Sequence, residues 1–189
     1  MARCRGVSPA VMSACDIVFE LYTVRVERLF TPWRREFIES AASADKQAAC
    51  FLCAAAAEQA DEETLVVHRD ERVFVILNRY PYNSGHLLVA PYAHTGDFAA
   101  LDVPTAADLM HVSQRSVGIL QDVYRPHAFN LGLNLGRTAG AGLPDHLHVH
   151  VVPRWDGDTN FMPIVGETKV LPESLDQTYA RLAPHFLSS

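Results

Sequence analysis

The sequence predicts an α+β fold: an antiparallel sheet of about five strands, with one long helix and a C-terminal helix. Three observations carry that reading. Short β-rich runs are separated by turn formers. One stretch of about twenty residues shows apolar residues at helical spacing. The run His146-Leu147-His148-Val149-His150-Val151-Val152 alternates histidine with apolar residues. Successive side chains of a strand point to opposite faces, so this run would set three imidazoles on one face and Leu147, Val149 and Val151 on the other.

Glu27 to Ser40 reads as a helix, with Pro32 and Trp33 marking a break or a first turn. Ala41 to Asp61 is Ala-rich and contains Cys50 and Cys53. Leu65–His68 and Val73–Leu77 are β-rich runs joined through Asp70-Glu71, the pattern of a hairpin. Asn78 to Gly85 is dense in turn formers, and His86 to Pro91 follows as a third strand. Thr105 with Asp108 has the spacing of a capping pair, and Ala106, Leu109, Met110, Val117, Leu120 and Tyr124 continue it at helical intervals. Phe129 to Leu135 alternates as a fourth strand, Gly136 to Pro144 is a Gly/Ala-rich loop, and the histidine run is the fifth strand. Trp155 to Pro172 is irregular, and Ser174 to Phe186 closes as a short helix.

Length and composition narrow the classes. The 189 residues suit one domain over 27–189, preceded by an extension over 1–26 that reads as disordered or partly helical. Asp16 and Glu20 interrupt the short apolar stretch near Cys15, which argues against a secretion signal. Apolar residues make up 49%, enough for a core, yet no run reaches the ~20 residues of a membrane helix. The net charge of −6 argues against a basic nucleic-acid-binding face. It leaves room for a small anionic ligand held by backbone N–H groups and histidines. The four cysteines are Cys4, Cys15, Cys50 and Cys53, and a reduced, cytoplasmic setting is the expectation.

Three imidazoles in register admit three readings: a hydrogen-bonded polar face, an open catalytic zinc site, or nucleophilic catalysis by the middle imidazole with its neighbours orienting and moving protons. Cys50-Phe51-Leu52-Cys53 is a Cys-x-x-Cys unit, compatible with redox chemistry, with two buried thiols, or with half of a four-ligand zinc site. His86 reads as a structural residue bonding across the turn, and His68, His111, His127 and His185 as surface or packing residues.

His146-Leu147-His148-Val149-His150-Val151-Val152 resembles the signature of the histidine-triad family, whose members hydrolyse or transfer nucleotides at the α-phosphate. The likeness extends to Leu77-Asn78, Pro81-Tyr82-Asn83-Ser84-Gly85-His86-Leu87, Leu133-Asn134-Leu135-Gly136 and Pro153-Arg154-Trp155, and covers about 28–172. Asp158-Thr159-Asn160-Phe161 looks most like the branch of diadenosine tetraphosphate phosphorylases and fragile-histidine-triad hydrolases. The resemblance implies that His148 is a nucleophile forming a nucleotidyl-imidazole. His150 would contact phosphate oxygens and assist the leaving group, with His146 completing the triad. It further implies that Leu77 lines the base pocket, Asn78 bonds ribose, and Asn134 lies near the phosphates. The Gly140-Ala141-Gly142 backbone is open to phosphate, and Trp155 would stack on the base or cover the site. Phosphorylase relatives carry serine where Gly142 aligns. Relatives with zinc use positions matching Cys50, Cys53, His94 and His146, which implies a structural zinc and no organic cofactor. Trp33, Arg34 and Arg35 resemble an N-terminal family segment.

The expected activity is cleavage of dinucleoside polyphosphates by hydrolysis or phosphorolysis, in a homodimer. Hydrolysis of nucleoside phosphoramidates is the nearest alternative, and a nucleotide sensor with little turnover is an alternative of another class.

Overall fold

A computed structural model describes residues 50–158 and 171–187. The expected 1–26 extension, the 27–40 helix with Trp33, Arg34 and Arg35, Cys4, Cys15, and 159–170 lie outside the described residues.

Five antiparallel strands form one sheet: β1 (Val66–Arg69), β2 (Val73–Leu77), β3 (Leu87–Pro91), β4 (Ala128–Leu133) and β5 (Val149–Arg154), in the order β1-β2-β3-β5-β4. β1 and β2 form the expected hairpin, closed by the Asp70 N–H donating to the Val73 carbonyl at 2.9 Å. β2 and β3 are buried along their whole length, which explains their unbroken apolar runs. Their register pairs Ile76 with Leu88, and Leu88 pairs in turn with His150 of β5. Residues directly opposite share a face. Ile76, Leu88 and His150 therefore form one cross-strand row, while Val75, Val89 and Val149 form the row pointing the other way. β5 inserts between β3 and β4, so the histidine run enters the middle of the sheet rather than an edge.

Among the described residues there are four α-helices: α1 (Phe51–Ala57), α2 (Asp61–Thr64), α3 (Val103–Tyr124) and α4 (Leu175–Leu187). α3 is the expected long helix and buries Leu109, Val112, Ile119 and Leu120 in the core. Its start differs from the expected Thr105–Asp108 pair. Asp102 is the N-cap and accepts from the Thr105 N–H at 2.9 Å and the Thr105 hydroxyl at 2.8 Å. Thr105 sits inside the first turn, after Pro104, and Asp108 pairs with Arg72 at 2.6 Å. α4 starts at a reciprocal capping box. The Gln177 N–H donates to Ser174 Oγ, and the Ser174 N–H donates to Gln177 Oε1. α1 falls in the Ala-rich stretch, and α2 begins at its last residue. Among the described residues no helix is long and apolar enough to cross a membrane.

Candidate active site

β5 begins at Val149, three residues later than the alternation suggests. The reason lies in the backbone. The Leu147 N–H donates to the Thr95 carbonyl at 2.7 Å, outside the sheet ladder. The loop after β3 thus captures the segment carrying His146, and the three histidines divide between two sites.

His148 and His150 line a cavity of about 570 Å³, within the ~300–1,000 Å³ of small-molecule sites. Their rings meet edge to face with centroids 4.9 Å apart. His148 is 8% exposed, and its Nδ1 lies 2.9 Å from the His146 carbonyl oxygen. A carbonyl can only accept, so Nδ1 carries the proton and Nε2 the lone pair. Burial pushes the His148 pKa down, against the opposing effect of this hydrogen bond, and favours the neutral ring.

His150 is oriented by a residue that sequence reasoning placed in a merely structural role. His86, 1% exposed, sets its Nε2 3.0 Å from His150 Nδ1. His86 Nδ1 receives the Tyr82 N–H at 3.0 Å and faces the Asn78 side-chain amide at 3.3 Å. Tyr82 stacks on His150 with centroids 6.0 Å apart. The available signal was a histidine at the mouth of an otherwise apolar strand.

The cavity wall mixes polar and apolar residues. Asn134, Gly140 and Gly142 line it together with the two histidines. Gly140 and Gly136 have φ of +87° and +80°, a backbone that favours glycine and leaves the chain bare at the rim. Ala141 is buried instead of facing the cavity. The apolar walls are Leu77, Ile76, Leu88 and Leu65, with Phe51 and Ala54 of α1, and Leu88 adjoins His150 directly across β3 and β5. Asn78 also lines the cavity. Trp155 lies edge-on to Tyr124 at 6.4 Å and is not among the lining residues.

His146 belongs to a second group. It is fully buried, and its Nε2 lies 2.8 Å from the Pro91 carbonyl, so Nε2 carries the proton and Nδ1 the lone pair. That Nδ1 lies 3.2 Å from Cys50 Sγ, 3.4 Å from Cys53 Sγ and 3.3 Å from His94 Nδ1. Cys53 Sγ is 3.3 Å from His94 Nδ1, and all four donor atoms fall within 4.8 Å of one another. Four donors converging on one point, one of them anchored by its second nitrogen on a backbone carbonyl, form a group able to hold a transition-metal ion.

Comparison with known proteins agrees with this geometry. The family model of the HIT domain matches residues 59–157. The chain is 43% identical over 163 residues to a Mycobacterium tuberculosis protein named AP-4-A phosphorylase, covering 84% of each chain. Among solved structures, a Zn-bound histidine triad family protein from Mycobacterium smegmatis superposes with a TM-score of 0.59 at 25% identity, covering 74% of this chain and 94% of that one. A hypothetical histidine triad nucleotide-binding protein from Sulfolobus tokodaii gives a TM-score of 0.59 at 28% identity, covering 73% and 92%. A strand carrying His150 with His148 just before it, the matched family model and these relatives agree, and the chain belongs to the histidine-triad (HIT) family.

Proposed function

We propose that this protein is an enzyme that cleaves dinucleoside polyphosphates of the diadenosine tetraphosphate type at the α-phosphate, through a nucleotide carried covalently on His148. The observation that carries the reading is the His148 Nδ1–H bond to the His146 carbonyl. It leaves the Nε2 lone pair on a ring that faces a nucleotide-sized cavity.

The chemistry takes two displacements. His148 Nε2 attacks the α-phosphorus, a P–N bond forms, and the bond to the bridging oxygen of the leaving polyphosphate breaks. His150 Nε2–H gives its proton to that oxygen. An acceptor then attacks the same phosphorus, returns a proton to His150, and breaks the P–N bond. Water as acceptor yields a nucleoside monophosphate, and inorganic phosphate yields a nucleoside diphosphate. The likeness to the mycobacterial AP-4-A phosphorylase supports phosphate as acceptor. Asn134 and the Gly140 and Gly142 backbone would hold phosphate oxygens as charge spreads over them. Asn78 would bond ribose, and Leu77 would pack on the base.

Cys50, Cys53, His94 and His146 suit a structural zinc. Zn–S bonds of ~2.3 Å and Zn–N bonds of ~2.0–2.1 Å imply donor–donor edges of roughly 3.3–3.8 Å in a tetrahedron. Four of the six separations, 3.2, 3.3, 3.3 and 3.4 Å, fall at or just below the short end of that range, and all six lie within 4.8 Å. When bound, the ion supplies a cross-link between α1, the loop after β3 and the segment before β5. Two free thiols suit a reducing, cytoplasmic setting. β4 is an edge strand, and Leu131 and Leu135, 46% and 47% exposed, support a homodimer through it. Residues 27–189 are read as one catalytic domain.

The test is product analysis with diadenosine tetraphosphate, with and without inorganic phosphate. Diphosphate formed only with phosphate identifies a phosphorylase, and monophosphate in both conditions a hydrolase. No turnover with either overturns the reading.

A further inference from the structure

The metal group and the cavity share one element, the helix α1. Cys50 is its N-cap and Cys53 lies in its first turn, while Phe51, Ala54 and Ala55 face the cavity and Glu58 follows at its rim. A seven-residue helix is too short to persist on its own. Its N-terminus has no side-chain cap bond and no acidic residue in the first turn. Leu52 anchors that end in the core, and the pair of sulfurs facing His94 and His146 holds it from the other side.

The other end is held from the sheet. Arg69 of β1 donates to the Ala55 carbonyl at 3.0 Å, the Ala56 carbonyl at 2.9 Å and the Glu58 carbonyl at 2.6 Å. These include carbonyls that a helix C-terminus leaves without an internal partner, and a cation there complements the helix dipole. Asp61 fixes the guanidinium by accepting at 2.9 and 2.7 Å. Between the two fasteners α1 presents an apolar surface opposite Ile76, Leu77 and Leu88. Phe51 is 44% exposed and lines the cavity, where it can pack on a ligand. Glu58, Glu63 and Arg79 also line the cavity. With the α-phosphorus placed at His148 by the reading above, the apolar α1 surface suits the base.

We propose that α1 is the base-side wall of the nucleotide pocket, held jointly by the metal group and by Arg69, so that metal binding and nucleotide binding strengthen each other. The inference rests on the nucleotide and zinc readings above. Ordering the wall costs conformational entropy, and whichever ligand binds first leaves less of that cost to the second. Linkage makes the effect reciprocal.

Full-length protein is loaded with zinc or stripped of it, and AMP and ribose 5-phosphate are titrated by calorimetry, with folding checked by circular dichroism. Removing zinc is expected to raise the Kd for AMP about tenfold and to leave ribose 5-phosphate, which lacks the base, nearly unaffected. In reverse, saturating AMP should slow zinc transfer to a colorimetric chelator by a similar factor, and ribose 5-phosphate should not. Arg69→Met should weaken AMP binding with zinc retained. Equal AMP affinity in loaded and stripped folded protein overturns the coupling alone. If the stripped protein unfolds, a zinc transfer rate indifferent to AMP overturns it instead. Failure to bind zinc or AMP at all overturns the coupling together with the reading beneath it.

Discussion

His86 Nε2 lies 3.0 Å from His150 Nδ1, and the proton between them belongs to His86. A backbone N–H can only donate, so the Tyr82 N–H fixes a lone pair on His86 Nδ1 and a proton on His86 Nε2. His150 Nδ1 must then accept, which leaves its own proton on Nε2. The pair thus sets the tautomer that a proton donor to the leaving group requires.

Replacing His86 by Ala should lower kcat roughly 10- to 100-fold, the usual cost of losing a residue that orients a reacting one. KM should change little, because His86 is buried behind His150. Steady-state kinetics on folded variant protein check this. A variant that loses KM and keeps kcat would refute the positioning role. His86→Gln, whose amide can still donate to His150, should recover part of the rate.

His148→Ala should lower turnover by a factor on the order of 10⁴ or more, the scale seen when a nucleophile is removed. AMP binding should persist, because the apolar walls and Asn78 are untouched. Intact-mass spectrometry of wild-type protein quenched without acid should show the nucleotidyl adduct, and the variant should show none. Retained turnover in His148→Ala would sink the covalent mechanism.

Gly96 lets the segments that carry His94 and His146 approach each other. A Cβ at this position would strike the Pro144 carbonyl and crowd Asp145. The same loop contributes His94 and the Thr95 carbonyl that anchors Leu147. Gly96→Ala should therefore cost about 1–3 kcal/mol of stability, the range for overpacking. It should also reduce bound zinc per chain. Thermal melts and metal analysis read both effects, and a normal metal content with an unchanged melt would contradict the packing argument.

Much of the site was legible because its chemistry is local. Alternating histidines among β-formers announce themselves, whereas Leu77 and Asn78 stand out only through the family resemblance. What could not be read depends on distant partners. Histidine alternation predicts one face, yet the Leu147–Thr95 bond diverts His146 from the face that His150 occupies. Four alanines in α1 favour helix but show no period, so its packing on Arg69 was invisible until the sheet placed Arg69 beside it. The Thr105–Asp108 spacing mimicked a cap, and only the observed Arg72–Asp108 pair shows what Asp108 does instead.

His68 supplies a test of pH dependence away from the metal group. It lies between Arg115 and the C-terminal helix: its Nε2 is 2.9 Å from Arg115 Nη1, and its ring stacks on Phe186 at 5.7 Å. Arg115 also donates to the Phe186 carbonyl at 2.7 Å. A guanidinium only donates, so His68 must keep its Nε2 lone pair. Burial lowers the His68 pKa and the Arg115 charge lowers it further, against an opposing pull from Asp70. The unfolded chain then binds more protons than the folded one just below the ordinary histidine value of ~6.5. This stabilisation is complete above that value and is lost as pH falls through the lowered folded pKa. Wild-type protein should lose melting temperature between about pH 7.5 and about pH 5, as should any protein with buried neutral histidines. His68→Gln still offers an acceptor to Arg115 but does not titrate, so its melting temperature should fall less over the same range. Parallel curves for the two proteins would show that His68 contributes nothing to acid sensitivity, and that α4 stays docked when it is protonated.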